Sequence, residues 1–248
     1  MILYHGSDKI IPKPLYGFGK EDNDYGSGFY LCEDIEKANA WAVNNGSDRA
    51  ICNQYNFPVE DMNVLYLDEC GTLAWIAEVV SHRGVSDEDT EYAAKLFAAE
   101  YKINTDDYDV IIGYRADDSY MRVIDAFFKG QLNIAEVDRF FREGELGNQV
   151  FIKSSKAFDA IKFLKSTEVK DRNKYINYDA QARRKAANFL DNRRRQIVQD
   201  NYQPHGVTLK EVLSQKYAYD SSLKYYFPES IINRPYKPQS REDNTHER

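Results

Sequence analysis

The sequence predicts an α+β fold with a helical C-terminal extension, and three observations predict it. Short apolar runs that read as strands are scattered among stripes at helical spacing. Strands and helices do not alternate regularly, which argues against a doubly wound sheet. Charge divides the chain as well. Residues 1–165 hold 17 Lys and Arg against 29 Asp and Glu, whereas residues 166–248 hold 16 against 11.

Taken in order, Met1–Tyr4 is apolar enough for a strand. Residues 8–24 carry Pro12, Pro14, Gly17 and Gly19 and read as a loop. An irregular stretch of that length is more often functional than filler. Gly28–Leu31 is the next strand. Ile35, Ala38, Trp41 and Ala42 share one face of a helix over Asp34–Val43. Asn63–Leu67 is a strand; Leu73, Ile76, Ala77 and Val80 stripe a helix. Asp87–Tyr101 is another helix, with acidic residues in its first turn.

Tyr108–Gly113 reads as a buried strand. Two helices follow, striped by Tyr120, Val123, Ile124, Phe127 and Phe128, then by Ile134, Val137, Phe140 and Phe141. Gly144–Gly147 breaks the chain before a short strand at Gln149–Ile152. Ala157, Phe158, Ile161 and Leu164 stripe one short helix. Past Lys170 the chain turns basic. Asp179–Asp200 is a long helix carrying Arg183, Arg184, Lys185 and Arg193, Arg194, Arg195. Thr208 and Glu211 have the capping-box spacing for one more. Pro228 to the end reads as extended or disordered. This gives a domain over 1–165, a basic helical extension over 166–232 and a tail over 233–248.

Composition limits the function. Hydrophobic residues at 42% and charged residues at 29% describe an ordinary soluble protein. No apolar run is long enough for a bilayer, and no basic-then-apolar leader opens the chain, so a cytoplasmic protein without membrane contact is expected. Cys32, Cys52 and Cys70 are odd in number and lack metal spacing, so free thiols and no metal are expected. The acidic body argues against general nucleic-acid binding there; the arginine-rich helix leaves RNA or an acidic partner open, with a solvated helix face as the alternative. Dinucleotide-type glycine fingerprints and phosphate loops are absent.

One constellation stands out. Tyr25-Gly26-Ser27-Gly28-Phe29-Tyr30 leads glycines into an aromatic strand, Leu3-Tyr4-His5-Gly6-Ser7 opens the chain, and Trp41 follows Tyr30 by eleven residues. His5-Gly6, Gly28-Phe29-Tyr30 and Asn148-Gln149-Val150-Phe151-Ile152, in this order, resemble the three motifs of the diphtheria-toxin-like ADP-ribosyltransferases, the branch that includes the poly-ADP-ribose polymerases. The chain looks closest to an uncharacterised bacterial domain family distantly related to that branch. Such domains are often encoded beside short partner proteins in loci of toxin–antitoxin or phage-defence type.

The resemblance covers roughly residues 1–165. It implies a split mixed and antiparallel sheet core with flanking helices, NAD as substrate, and mono-ADP-ribosyl transfer to a protein or nucleic acid. A small antitoxin-like partner is implied too. His5 would bond the adenosine-side ribose. Gly6 would present its backbone to the nicotinamide carboxamide, where a missing Cβ permits close approach. Ser7 and Gly28 belong to the same cofactor-binding motifs. Tyr30 and Trp41 would sandwich the nicotinamide; otherwise they are core aromatics.

Cleavage of the ribose–nicotinamide bond passes through an oxocarbenium-like state, as in glycoside hydrolysis. The site must hold the ring flat, fix the ribose and favour positive charge. Two departures bear on this. Many polymerases carry a serine eight residues after the tyrosine; here it is Ala38. Gln149 replaces the usual glutamate. It can accept a ribose hydroxyl but cannot act as a base, which argues against ADP-ribose chain elongation. Glu143 or Glu145 could supply a carboxylate, or be solvated loop charges. Arg115, Asp117 and Asp118 follow a strand end, where charged residues can line a site, but more often start a helix, as they do in this reading. The alternatives are a binding module that keeps the nucleotide without turnover, and an RNA-modifying relative.

Overall fold

β1 (Ile2–Ser7) opens the chain and pairs antiparallel with β3 (Ile51–Asn56), which pairs antiparallel with β7 (Lys162–Glu168). A second sheet has the order β2 (Phe29–Leu31), β6 (Asn148–Ile152), β5 (Val110–Tyr114), β4 (Val64–Tyr66). It is antiparallel except for the β4–β5 pair. A computed structural model describes residues 1–143, 147–214 and 225–228. It is a mixed α+β structure with two sheets.

The sheets meet at one bridge. Tyr4 donates to the Cys32 carbonyl at 2.8 Å and accepts from the Cys32 amide at 2.9 Å. Leu3 and Tyr55 of one sheet share an apolar cluster with Phe29, Val110 and Ile152 of the other. That common layer fixes the sheets against each other.

Helices pack around this frame. α1 (Ile35–Val43) starts on Asp34, whose carboxylate accepts the Glu36 amide at 2.9 Å. α2 (Thr72–Arg83) and α3 (Glu88–Tyr101) precede β5. α4 (Asp118–Phe128) is capped by Asp117. α5 (Ile134–Arg142) has a complete capping box between Asn133 and Glu136. Trp75, Phe97, Phe127 and Phe141 lie fully buried among them.

Two elements differ from the sequence reading, and one is longer. β3 falls in Ile-Cys-Asn-Gln-Tyr-Asn, whose polar residues hide a strand. Asn53 is nonetheless buried, its side chain bonded to the Ile11 amide and the Lys9 carbonyl. The expected helix through Leu164 stops early. α6 (Ser155–Ala160) ends, Ile161 is extended, and β7 begins. Leu164 is exposed on this edge strand, whose lysines Lys162 and Lys165 suit an edge. β1 runs on to Ser7 and so carries His5 and Gly6 inside a strand.

The C-terminal part continues with α7 (Arg172–Tyr175), α8 (Ala180–Gln199) and α9 (Leu209–Ser214). Ala182, Ala186 and Leu190 of α8 and Val212 of α9 join the same core as Trp75 and Phe127. The expected tail over 233–248 lies outside the described residues. Among the described residues no helix is long and apolar enough to cross a membrane.

Candidate functional site

The bridge between the sheets creates the site. Backbone groups of successive residues in an antiparallel strand point to alternate edges. Tyr4 points both of its groups away from β3, toward Cys32. Two residues on, Gly6 presents its N–H and C=O to that same edge. Continued in register, Gly6 would face Tyr30. The pairing stops at the single bridge instead, and a cleft lies where the strands part.

Its narrow end, of only about 20 Å³, is lined by His5, Gly6, Tyr30, Trp41, Arg115 and Gln149. Its wide end, of about 400 Å³, keeps all of these but Gly6 and adds Asp24, Gly28 and Arg83. A volume of the order of the wide end suits a small-molecule ligand; the narrow end leaves room for about one water.

His5 Nδ1 lies 2.7 Å from the Tyr30 carbonyl oxygen. A carbonyl only accepts, so Nδ1 carries the proton and Nε2 keeps its lone pair. Burial lowers the imidazole pKa below its usual value, partly opposed by that hydrogen bond. Phe29 packs on the ring at 4.4 Å. His5 is thus a neutral ring lining the cleft with an acceptor nitrogen that no described residue occupies.

Both glycines have structural work as well. A Cβ on Gly6 would strike the Ala38 carbonyl and stand 2.6 Å from the Ala42 amide. Bare backbone lets α1 press against β1, which explains the small residues facing it. A Cβ on Gly28 would enter the Phe151 ring and stand 2.6 Å from the Ile152 carbonyl.

The Tyr30 hydroxyl accepts the Tyr25 amide at 2.9 Å and donates to the Gly26 carbonyl at 2.8 Å. Its ring leans on Phe151 at 4.7 Å. Burial pushes the phenol pKa far up, so the hydroxyl anchors a turn and takes no part as an acid or base. Trp41 on α1 is 40% exposed and lies under the Arg115 guanidinium at 4.7 Å. Arg115 also reaches Asp179 at 3.4 Å. Ser7 turns away from the cleft: its hydroxyl engages Asp8 and the Lys9 amide.

Gln149 is 2% exposed. Its Nε2 donates to Asp24 Oδ2 at 2.8 Å and to the Tyr114 carbonyl at 3.4 Å. Oε1 is buried with no hydrogen-bond partner by geometry, although the side chain lies close enough to the Tyr25 hydroxyl to influence its ionisation. Asp24, itself 7% exposed, also accepts from the Ala116 amide at 2.9 Å and from Arg83 Nη1 at 2.9 Å. Glu143 is exposed, and its carbonyl accepts Lys185; Glu145 lies outside the described residues.

Asp24 and Arg83 are the site residues that sequence reading did not single out. Asp24 sits at the end of the loop marked as functional, but nothing distinguishes it there from Asp22. Arg115 follows a strand end, where a charged residue can line a site, and from sequence alone a helix start is the commoner role. The arginine-rich helix is partly spent on structure: Arg193 pairs with Glu136 and stacks over Tyr202 at 4.0 Å, and Arg183 approaches Asp117 at 3.6 Å. Among the described residues no group of three His, Cys, Asp or Glu side chains could hold a metal.

A family model described as "Protein of unknown function (DUF3990)" matches residues 1–163. No curated protein and no solved structure matches the chain.

Proposed function

The chain belongs to the DUF3990 family, and from that premise we propose that its cleft binds NAD and supports a single ADP-ribosyl transfer or slow NAD hydrolysis. The observation that carries this reading is the parted seam between β1 and β2. There the His5–Tyr30 tie leaves an acceptor nitrogen and the Gly6 peptide edge facing one cleft.

The chemistry fits those groups. The nicotinamide carboxamide needs one donor and one acceptor at strand spacing, which the Gly6 N–H and C=O provide. His5 Nε2 accepts a ribose hydroxyl. The Tyr30 ring offers a flat face at the narrow end, and Trp41 a second one once Arg115 yields. Gln149 Oε1 accepts a hydroxyl of the ribose that loses nicotinamide. The two mixed and antiparallel sheets with helices around them are compatible with the split sheet core that the resemblance to ADP-ribosyltransferases implies. The acceptor is a protein or a nucleic acid, in the cytoplasm, and a small antitoxin-like protein would restrain the activity.

A second reading is a nucleotide-binding module without turnover. It is favoured by Gln149, which carries no charge, and by Asp24, whose charge is balanced by Arg83 at 2.9 Å. Incubation with NAD labelled in the adenylate, with and without cell lysate, separates the two. Labelled protein or RNA is the outcome expected of a transferase. Binding without any label transfer or nicotinamide release selects the module.

A further inference from the structure

The Gln149 amide is oriented from outside its own strand. Nε2 points at a carboxylate and a carbonyl, Asp24 Oδ2 and Tyr114 O. Both only accept, so the nitrogen must face them and Oε1 must face the other way. The Tyr114 carbonyl is already crowded, receiving Tyr25 Oη at 2.5 Å and Trp75 Nε1 at 3.1 Å. Asp24 is therefore the closer and stronger partner.

A structural amide would have both ends satisfied. Here one end is held by a charged group and the other is buried with no hydrogen-bond partner by geometry, which is rare in folded proteins. Donation from Nε2 to a carboxylate also draws electron density onto Oε1 and makes it a stronger acceptor. Arg83 and the Ala116 amide hold Asp24 in place on its other sides. Asp24 and Gln149 both line the cleft.

We propose that Asp24 is the positioning residue of this site. Its loop-borne carboxylate sets the Gln149 amide so that Oε1 receives a ligand hydroxyl. An acid–amide pair contributed by two segments thus stands where the resembled enzymes place one strand glutamate. The inference rests on the NAD reading above.

A double-mutant cycle on NAD affinity, measured by calorimetry on the full chain, tests it. Gln149→Met keeps the shape and removes the acceptor. It is expected to weaken NAD binding roughly tenfold, the worth of one hydrogen bond. Asp24→Asn is expected to weaken it similarly in the native background and not at all beside Gln149→Met. An unchanged affinity in Gln149→Met overturns the proposal. So does a loss on Asp24→Asn that is equal in both backgrounds, because that is what a purely structural role gives.

Should Asp24→Asn fail to fold, Gln149→Glu takes its place. It sets a second carboxylate at the 2.8 Å contact with Asp24 and is expected to lower both NAD affinity and nicotinamide release. Faster release in that variant overturns the proposal. Native protein that binds no NAD sinks the reading and the inference together. Native protein that binds NAD, with Gln149→Met unaffected, sinks the inference alone.

Discussion

Replacing Arg83 by Met is expected to destabilise the fold and to loosen the loop over 8–24. Arg83 Nη1 donates to Asp24 at 2.9 Å and to the Ala116 carbonyl at 2.7 Å; Nη2 reaches Asp118 at 3.1 Å. The Asp118 side chain is almost fully exposed, so that contact contributes little. Asp24 is buried, and removing its counter-charge leaves a carboxylate with only the Ala116 and Gln149 donors. Breaking a buried pair costs ~3–5 kcal/mol, and the partial exposure of Arg83 places this case near the lower end, about 3 kcal/mol. With a urea m-value of about 2–3 kcal/mol/M for a chain of this size, the midpoint should fall by about 1 M. The double variant with Asp24→Asn should lose less than the two single losses added, because the orphaned charge is gone. A midpoint shift below about 0.2 M for Arg83→Met would refute the reasoning that this pair closes the loop onto the body.

Other perturbations follow from the same geometry. His5 has a lowered pKa in the fold, so the unfolded chain takes up its proton first as pH falls. Its contribution is whole above about pH 6.5 and is lost below it, at up to about 1.4 kcal/mol per pH unit until the folded ring also protonates. His5→Asn, which keeps a donor for the Tyr30 carbonyl, should flatten stability between pH 7 and 5 in urea titrations; an unchanged slope contradicts the buried neutral ring. Gly28→Ala drives a methyl into Phe151 and the Ile152 carbonyl and should cost at least 1–3 kcal/mol, seen as a lower melting temperature. Arg193→Met removes the partner of Glu136 and the stack on Tyr202. It should cost about 3 kcal/mol, whereas Arg195→Met on the exposed side should cost under about 0.5 kcal/mol. Equal effects would undo the division of α8 into a packed and a solvated face.

Much of this was legible in the residues. Periodic stripes located α1, α2, α4 and α5, because apolar side chains at 3.6 spacing leave few other solutions. His5, Gly6, Tyr30 and Gln149 line one cleft; a shared site for them was an implication of the family resemblance, which no periodicity or spacing could supply. β3 was hidden because its buried face includes Asn53, whose polarity is offset by local hydrogen bonds that the sequence does not display. β7 was hidden because an edge strand exposes Leu164 and carries lysines, imitating a helix face. Asp24 was invisible for a different reason. Its importance comes from Arg83, Ala116 and Gln149, which are 59, 92 and 125 residues away. Ser7 had the right neighbours but its hydroxyl turns into the following turn.

The Tyr30 hydroxyl bonds shift weight within the site. A tyrosine that closes the Tyr25–Gly26 turn cannot be removed without disturbing the loop, so its replacement tests folding and binding at once. His5 is the cleaner probe, since the one described hydrogen bond of its ring is to a backbone carbonyl and Nε2 faces no described partner. The measurement that bears most directly on the proposed function is nicotinamide release from NAD, followed by chromatography, for the native chain and His5→Ala side by side. Release by the native chain, with at least a tenfold loss in a folded His5→Ala variant, is the predicted result. Equal release by both proteins, or none by either alongside no NAD binding, would contradict it.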